Sequence, residues 1–362
     1  MQSTFANDKP FNSLPLLPPI KEVETIRTLK KAISARVAIS ELRATGSKIP
    51  NQSILIRALT LQEAKLSSEI ENIVTTNDKL YRELSEQSPN PDPQTKEVLG
   101  YQDALWMGYQ HLQEGGFLNT NLFIEIVQTI RRVQSGIRTM HGTHIVSSKT
   151  SEIIYTPPIG EKQIRDMLFN LSEFLYQEDG IDPLIKMAIA HYQFEAIHPF
   201  TDGNGRTGRV INILYLIHSG LLDLPTLYLS KYIIQNKSRY YECLRAVTES
   251  GDWEDWILYL LDAVEVMAFE TRDRMARIHE AMLHAIEITR AQKPKIYRRE
   301  LIELIFEQPY TRISSIEKAG IVKRDAAAAY LRELEEIGVL KQLKQGRELL
   351  FLNTRLMDIL VK

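Results

Sequence analysis

The feature that most constrains this chain is a glycine-rich run that directly follows an apolar helical pattern. Residues 182–197 (DPLIKMAIAHYQFEAI) repeat apolar side chains at helical spacing, and residues 198–209 read HPFTDGNGRTGR. The run holds one imidazole, one carboxylate, three glycines and two arginines. Glycines let backbone N–H groups turn towards an anion, and the arginines add fixed positive charge. We therefore predict a triphosphate site that carries its own base.

Two residues of the run add chemistry to this site. Asp202 is its only acid, and one carboxylate suits Mg²⁺, which takes one or two protein oxygens and completes its shell with phosphates and water. His198 is the one group that exchanges a proton near neutral pH.

Other glycine-rich nucleotide sites fit the sequence less well. Residues 203–208 satisfy the dinucleotide pattern GxGxxG, and Asp223 lies where that pattern places an acid. The pattern needs a strand immediately before it, whereas a helix is predicted here. No GxxxxGK[ST] occurs, and a protein-kinase glycine loop lacks the same strand. The sequence thus argues against Rossmann, Walker A and kinase sites.

The run resembles the signature of the Fic (filamentation-induced-by-cAMP) domain, HxFx[DE]GNGRxxR, and meets every fixed position of it. The resemblance implies transfer of AMP from ATP to a Ser, Thr or Tyr hydroxyl of a target protein, with release of pyrophosphate. It implies His198 as the base and Asp202 as the Mg²⁺ ligand. The nucleotide-binding residues that it implies are Gly203, Asn204 and Gly205 at the α- and β-phosphates, Arg206 and Arg209 at the β- and γ-phosphates, and Thr207 and Gly208 within the same run. UTP or another nucleotide stays open as an alternative.

A second pattern lies upstream, where residues 61–73 (LQEAKLSSEIENI) predict a helix. Ser67, Glu71 and Asn72 fit [ST]xxxE[GN], the pattern with which Fic proteins inhibit themselves, although a Glu on a solvated helix face is a common arrangement. The resemblance implies that Glu71 pairs with Arg209 and blocks the γ-phosphate, since a bidentate Arg–carboxylate pair competes well with phosphate. In some Fic proteins this glutamate positions a water that removes AMP, so a bifunctional AMPylating and de-AMPylating enzyme is an alternative.

Residues 152–160 (EIIYTPPIG) predict an edge strand or hairpin arm, because a β-branched run ends in a Pro pair. The corresponding segment of Fic enzymes is a flap that pairs with the target by strand addition. The resemblance implies that Ile154, Tyr155 and Thr156 contact target or nucleotide. A purely structural hairpin is the alternative.

Residues 229–244 (LSKYIIQNKSRYYECL) predict a helix that brings Asn236, Tyr240 and Tyr241 near one another. Adjacent tyrosines face different directions on a helix, so one can be core while the other lines a pocket. The resemblance favours an adenine and ribose wall, and ordinary aromatic packing is the alternative.

Composition sets broader limits. At roughly 150 residues per domain, 362 residues suit two or three domains. A net charge of −2 gives no global reason to expect nucleic acid or membrane binding. The single cysteine, Cys243, excludes an intramolecular disulfide and is expected to be a buried helix residue. No signal pattern or apolar run of about 18 residues occurs, so we expect a cytoplasmic chain without membrane contact.

The predicted fold is mainly α: a helical Fic core with a short β-hairpin flap, an N-terminal helical domain and a small C-terminal winged-helix domain. We place these domains at residues 96–285, 1–95 and 290–362. The Pro-rich first 20 residues are expected to run extended over the surface. Residues 21–42 and 53–73 predict amphipathic helices, and residues 86–93 a loop.

The C-terminal segment predicts helices at residues 298–306, 314–319 and 323–337. The sequence VLKQLKQGRELLFLN then predicts a hairpin that turns at Gln345 and Gly346. This order resembles a winged helix, with the third helix as the recognition helix. From Lys293 onward the chain has 14 basic and 10 acidic residues. This excess of positive charge is small for a DNA-binding domain, so protein docking and DNA binding are both alternatives. A nucleotide-sensing transcriptional regulator is therefore the alternative to an enzyme. Nothing locates a homodimer interface.

Overall fold

The computed structural model describes residues 5–49, 51–86, 92–139, 142–146, 151–345 and 348–361. This part of the chain is mainly helical with two small antiparallel sheets, which confirms the predicted class. The helices are α1 (Ile26–Gly46), α2 (Ser53–Ile70), α3 (Asn77–Glu86), α4 (Pro93–Gln113), α5 (Thr120–Arg131), α6 (Glu161–Tyr176), α7 (Pro183–Ile197), α8 (Asn204–His218), α9 (Ser230–Gln235), α10 (Lys237–Ser250), α11 (Trp253–Gln292), α12 (Arg299–Glu307), α13 (Ile313–Lys318), α14 (Arg324–Glu336) and α15 (Thr354–Val361). The strands are β1 (Ile145–Val146), β2 (Ile153–Tyr155), β3 (Tyr310–Thr311), β4 (Lys341–Gln345) and β5 (Glu348–Leu352).

Helices α7 and α8 form the centre of the molecule. Nearly every residue of both helices is buried, so they are apolar on all sides rather than on one face. Helix α7 begins where the Asp182 side chain accepts from the backbone N–H of Leu184 and Pro183 takes the first turn. Around this pair, α4 and α5 pack against α8, α6 and α11 pack against α7, and α1 lies along α11. The two central helices meet at the glycine-rich run.

The flap is a short antiparallel pair of β1 and β2, in which Ile145 faces Tyr155. The predicted hairpin arm is thus present. The N-terminal segment does not simply cross the surface as expected, because it packs along this flap. The Phe11 N–H donates to the Thr156 carbonyl (3.0 Å), and the Phe5 ring stacks on Tyr155 at 5.9 Å between centroids. Leu14 is buried as well.

The C-terminal unit runs α12, β3, α13, α14, β4, β5 and α15, with a sheet ordered β3-β5-β4. The three predicted helices and the hairpin are present, although Gly346 of the predicted turn lies outside the described residues. Strand β3 and helix α15 were not predicted. Two residues are too few for a sequence period, and α15 is a single short amphipathic stretch. The unit contacts α2 and α3, and the Tyr310 hydroxyl donates to Asp78.

Several predicted helix boundaries were wrong. The first helix spans Ile26–Gly46 rather than residues 21–42, and it starts at Ile26 because Thr25 provides the N-cap by accepting from the Thr28 N–H. The second ends at Ile70 rather than residue 73, since the chain turns into the left-handed region at Asn72 (φ 63°). The predicted helix over residues 229–244 is two helices, broken at Asn236. Of the predicted loop over residues 86–93, residues 87–91 lie outside the described part.

Candidate active site

The site is built where the C-terminal end of α7 meets the N-terminal end of α8. His198 ends α7 in the left-handed region (φ 48°), and Gly203 takes the same region (φ 82°) just before α8. The Asn204 side chain closes the turn between them by accepting from the Phe200 N–H (2.9 Å) and donating to the Phe200 carbonyl (2.8 Å). Asn204 therefore holds the shape of the loop, in addition to any role in phosphate binding that the sequence suggests.

The start of α8 offers unpaired backbone N–H groups and the positive end of the helix dipole. At Gly205 a Cβ atom would lie 2.7 Å from Glu71 Oε1 and 2.9 Å from Arg209 Nη1, so a larger residue would displace the ends of these two side chains. Thr207 is fully buried, and its Oγ1 has no hydrogen-bond partner in the described part of the chain. This arrangement suits an anion with several oxygens.

Glu71 bridges two guanidinium groups of α8. Its Oε2 accepts from Arg206 Nε (2.7 Å), and its Oε1 accepts from Arg209 Nη2 (3.0 Å). The pair with Arg209 that the sequence indicated is present, and Glu71, at the C-terminal end of α2, contacts Arg206 as well. The side chains of Arg206 and Arg209 are 0% and 3% exposed, so water screens these ion pairs weakly.

Both arginines make further contacts. Arg209 Nε donates to Ser67 Oγ (2.7 Å), and its Nη2 donates to the Ser67 carbonyl (2.9 Å). Arg206 also pairs with Glu97 and, at 3.3 Å, with Asp202. Burial acts to lower the pKa of Arg209, but Glu71 and other nearby groups outweigh it and hold that pKa above its ordinary value. Asn72 makes the sharp turn that follows Glu71.

His198 is partly exposed and faces this cluster from the end of α7. Burial of the imidazole lowers its pKa to about 4. Its Nδ1 has no hydrogen-bond partner among the described residues. At neutral pH the ring is therefore uncharged and can accept a proton.

Asp202 is the residue that the sequence assigned to a metal. Its side chain is 48% exposed and pairs with Arg131 at 3.2 Å and with Arg206. The described residues contain no group of three acidic, histidine or cysteine side chains that could hold an ion by themselves. A single exposed carboxylate beside an anion site fits Mg²⁺, whose other ligands are phosphate oxygens and water.

The three predicted flap residues differ in exposure. Tyr155 is buried, and its hydroxyl donates to the Ala196 carbonyl (2.9 Å). Thr156 is buried too, with its hydroxyl donating to the Asn7 carbonyl (2.6 Å). Ile154 is partly exposed, so it is the one whose side chain a bound segment could reach.

The predicted nucleoside wall also separates into distinct environments. Tyr240 is buried, and its hydroxyl hydrogen-bonds to His191 Nε2 (2.9 Å). Tyr241 is 49% exposed, and its ring meets that of Tyr240 edge-on at 5.2 Å. Asn236 lies at the break between α9 and α10 and donates to the Tyr232 carbonyl (3.0 Å). Tyr240 is therefore a core residue and Tyr241 lies at the surface, and the nucleoside wall stays a prediction.

Sequence reasoning missed several residues of the site. Glu97 on α4 and Arg138 before the flap are single charges in segments without a motif, so no sequence signal marked them. Glu195 had a signal, since it lies three residues before His198 on the same helix. Burial raises the pKa of Glu195 to about 7, and its Oε1 has no hydrogen-bond partner in the part of the chain described. A Cβ on Gly208 would lie 2.9 Å from that atom.

Three domain families match successive parts of the chain. The Fic/DOC family N-terminal model matches residues 29–110, the Fic/DOC family model matches residues 117–216, and the model of the C-terminal domain of SoFic-like protein adenylyltransferases matches residues 282–356.

Individual relatives agree with these matches. Protein adenylyltransferase fic-1 of Caenorhabditis elegans is 30% identical over 138 residues, which are 38% of this chain and 26% of that protein. A protein of Aquifex aeolicus named "Probable protein adenylyltransferase" is 26% identical over 53% of this chain and 56% of its own length. The chain thus spans about a quarter to a half of these two relatives.

Solved structures share the fold. A Fic family protein from Desulfovibrio desulfuricans G20 has a TM-score of 0.56 at 17% identity, covering 93% of this chain and 98% of that one. The fic-1 fragment from C. elegans has a TM-score of 0.53 at 21% identity, covering 69% and 73%. The complete signature at residues 198–209 and the three family matches confirm the predicted resemblance: the chain contains a Fic/DOC family domain, with a Fic N-terminal domain before it and a SoFic-like C-terminal domain after it.

Proposed function

We propose that this chain is a protein adenylyltransferase, which transfers AMP from ATP to a Ser, Thr or Tyr hydroxyl of a target protein. One observation carries the proposal. An uncharged imidazole, His198, lies in the same short loop as a helix N-terminus with two buried guanidinium groups, and that loop meets the whole Fic signature. The names of the relatives support the same activity.

In this reaction the His198 imidazole accepts the proton of the target hydroxyl. The hydroxyl oxygen forms a bond to the α-phosphorus, the bond from that phosphorus to the bridging oxygen breaks, and pyrophosphate leaves. Backbone N–H groups at residues 203–205 and the guanidinium groups of Arg206 and Arg209 hold the phosphate oxygens. Such transfers depend on positioning and charge stabilisation, which a rigid helix N-terminus provides.

Asp202 would hold Mg²⁺ in this scheme. The ion, when bound, neutralises phosphate charge. The Asp202 carboxylate is exposed, as it must be if substrate oxygens and water are to complete the coordination shell of Mg²⁺. Binding would replace the pairs that Asp202 makes with Arg131 and Arg206.

We further propose that Glu71 inhibits the enzyme. Its carboxylate takes donors from both Arg206 and Arg209, so a triphosphate must displace it from two guanidinium groups. Buried charge-assisted hydrogen bonds are among the strongest in proteins, and phosphate competes for the same geometry. Ser67 adds to this hold by fixing Arg209 from the preceding turn of α2.

The C-terminal domain and the flap would determine which target protein is bound. We propose the division into residues 1–95, 96–285 and 290–362, with the last a winged-helix domain. The sheet order β3-β5-β4 together with α12, α13 and α14 supports that assignment. The flap would align the target segment through its main chain, with Ile154 exposed beside it.

Labelled ATP tests the proposed function. Wild type, Glu71→Gly and His198→Ala are incubated with Mg²⁺ and either α- or γ-labelled ATP in a cell lysate. We expect protein-bound label only from the α position, more of it with Glu71→Gly, and none with His198→Ala. Label from the γ position would indicate a kinase instead. Absence of any His198-dependent label would favour the alternative of a nucleotide-sensing protein.

A further inference from the structure

Arg138 lies behind the catalytic loop, between α5 and the flap, and its side chain is almost fully buried. Its bonds go to main-chain carbonyl groups rather than to acids. Nε donates to the His198 carbonyl (2.7 Å), and Nη2 donates to the Ile197 carbonyl (3.2 Å). The Arg138 backbone N–H donates to the Pro199 carbonyl (2.9 Å), so one residue binds three successive carbonyls at the end of α7.

These bonds oppose two unfavourable features of the loop. The last carbonyls of a helix lack partners within it, and a cation near that end is favourable. His198 also has a left-handed backbone, which is strained for any residue with a Cβ atom. Arg138 satisfies the carbonyl of that strained residue directly. The direction in which the imidazole leaves the backbone therefore depends on this guanidinium.

The same guanidinium also reaches the flap. Nη2 donates to the Pro158 carbonyl, which follows β2. A second tie runs from the Tyr155 hydroxyl to the Ala196 carbonyl at 2.9 Å. Two ties therefore join the flap to the end of α7, one through the Arg138 guanidinium and one through the Tyr155 hydroxyl.

We propose that Arg138 is a positioning residue that holds the His198 backbone and the flap in one register, so that a hydroxyl aligned by the flap lies beside the imidazole. This inference rests on the proposed AMP transfer. The hydrogen bonds of the Arg138 side chain go to carbonyls at the end of α7 and in the flap. Arg138 therefore acts through His198 and the flap rather than by contact with the nucleotide or the target hydroxyl.

The positive charge of Arg138 provides a second measurable quantity, the pKa of His198. After burial, the nearby Arg138 guanidinium is the next largest cause that lowers the pKa of His198, since two positive charges repel. Glu71 from the end of α2 and Asp202 from the loop act in the opposite direction. Removal of the Arg138 charge should thus raise the pKa of His198, whereas a purely structural residue would leave it unmoved.

The experiment compares Arg138→Met and Arg138→Lys in a Glu71→Gly parent. The matched control is Arg132→Met, because Arg132 lies six residues earlier in the chain, is exposed and pairs with Asp103 at 2.7 Å. We expect Arg138→Met to lower kcat by ~100-fold and to raise KM for the target, with KM for ATP unchanged, because small misplacement of reacting groups has effects of this size. Arg138→Lys keeps the charge but lacks the planar fork, so we expect a ~10-fold loss.

An NMR titration of the His198 ring provides the readout that does not need activity. We expect the pKa of His198 to rise in Arg138→Met and to stay near the parent value in Arg138→Lys and Arg132→Met. Unchanged kcat with an unchanged titration would overturn the proposal. If Arg138→Met does not fold, we compare the kcat of Arg138→Lys, and its KM for the target, with those of the parent. Values equal to those of the parent would overturn the proposal. If the parent transfers no AMP, the proposed function fails, while a titration that Arg138→Met leaves unmoved still overturns the role of Arg138.

Discussion

The two halves of the site are held in different ways. At the end of α7, which we call the base end, Arg138 binds main-chain carbonyl oxygens around His198. At the start of α8, which we call the guanidinium end, carboxylates at α2 and on α4 bind Arg206 and Arg209, and Arg209 is also held by the Ser67 hydroxyl and carbonyl. A ligand cannot replace main-chain carbonyls, because the fold places them there. It can replace a carboxylate, because phosphate oxygens make the same bonds. The base end is thus held by the main chain, whereas the carboxylate contacts of the guanidinium end are exchangeable.

The sharpest test of this difference separates chemistry from binding. In a Glu71→Gly parent, we expect His198→Ala to lower kcat by ~10²–10⁴-fold while ATP affinity is unchanged, because the ring acts as a base and not as a phosphate ligand. We expect Arg209→Ala to weaken ATP binding by ~10-fold or more, because it removes a charge-assisted donor. Single-turnover transfer and calorimetric titration with a non-hydrolysable ATP analogue measure the two effects. Equal loss of binding in both variants would contradict the distinction.

The second test asks whether the guanidinium end is exchangeable. Glu71→Gln keeps the size of the side chain but removes its charge, so the two arginines become available to phosphate. We expect ATP affinity to rise by ~10-fold, which corresponds to about 1.4 kcal/mol. Glu69→Gln is the matched control, because Glu69 lies two residues earlier, in the last turn of α2, and pairs with Lys65 at 3.2 Å. Unchanged affinity in Glu71→Gln would show that Glu71 does not compete with the nucleotide.

A third test concerns the pH dependence of stability at His191, a buried residue of α7 that feels the charge of Arg209 at the guanidinium end. Burial, followed by the charge of Arg209, lowers the pKa of His191 to about 3, against about 6.5 in the unfolded chain. Between pH 6.5 and about pH 3 the unfolded state therefore binds a proton at His191 and the folded state does not. The stability that is present above pH 6.5 is lost as the pH falls towards 3. We expect His191→Gln to reduce this loss by ~3 kcal/mol relative to wild type.

Denaturant unfolding between pH 7 and pH 4 measures that difference. Glu195 has a raised pKa and favours folding at the lower pH values, so the comparison between variant and wild type is the decisive quantity. His284→Gln, on the exposed face of α11, is the control and should follow the wild-type curve. A parallel course of His191→Gln and wild type would contradict the prediction.

The smallest expected effect concerns Ser67. Ser67→Ala removes the Oγ that accepts from Arg209 Nε, but leaves the Ser67 carbonyl and Glu71 in place. We expect ATP affinity to rise by only ~3-fold, in line with one hydrogen bond of about 0.7 kcal/mol. Ser68→Ala is the control, since Ser68 is equally buried and its Oγ has no partner among the described residues. A larger effect for Ser68→Ala would assign the change to packing rather than to Arg209.

The sequence predicted the chemical groups of the site better than their arrangement. The run at residues 198–209 indicated a base, an acid and two arginines, because those residue types are contiguous and their spacing is local. The pattern around Glu71 indicated a partner for Arg209. It did not predict that Glu71 would also bind Arg206, since that depends on where α2 ends relative to α8.

Helix ends were the least predictable part of the fold. Apolar periodicity continues from residue 61 to residue 73, yet α2 ends at Ile70. Glu71 caps this helix end and reaches the guanidinium end from there, and the left-handed turn at Asn72 follows it. A helical period reports which face is buried and does not report where tertiary contacts end the helix.

No comparable signal existed for Arg138, Glu97 or the N-terminal contacts of the flap. Arg138 and His198 are 60 residues apart, and their bond is made to a carbonyl oxygen that every residue possesses. The sequence by itself determined the helical class, the signature and the groups that carry its chemistry, because these are encoded locally. Only the tertiary structure decided which charges meet, since burial and distance between remote helices set the strength of an ion pair and the pKa of a histidine.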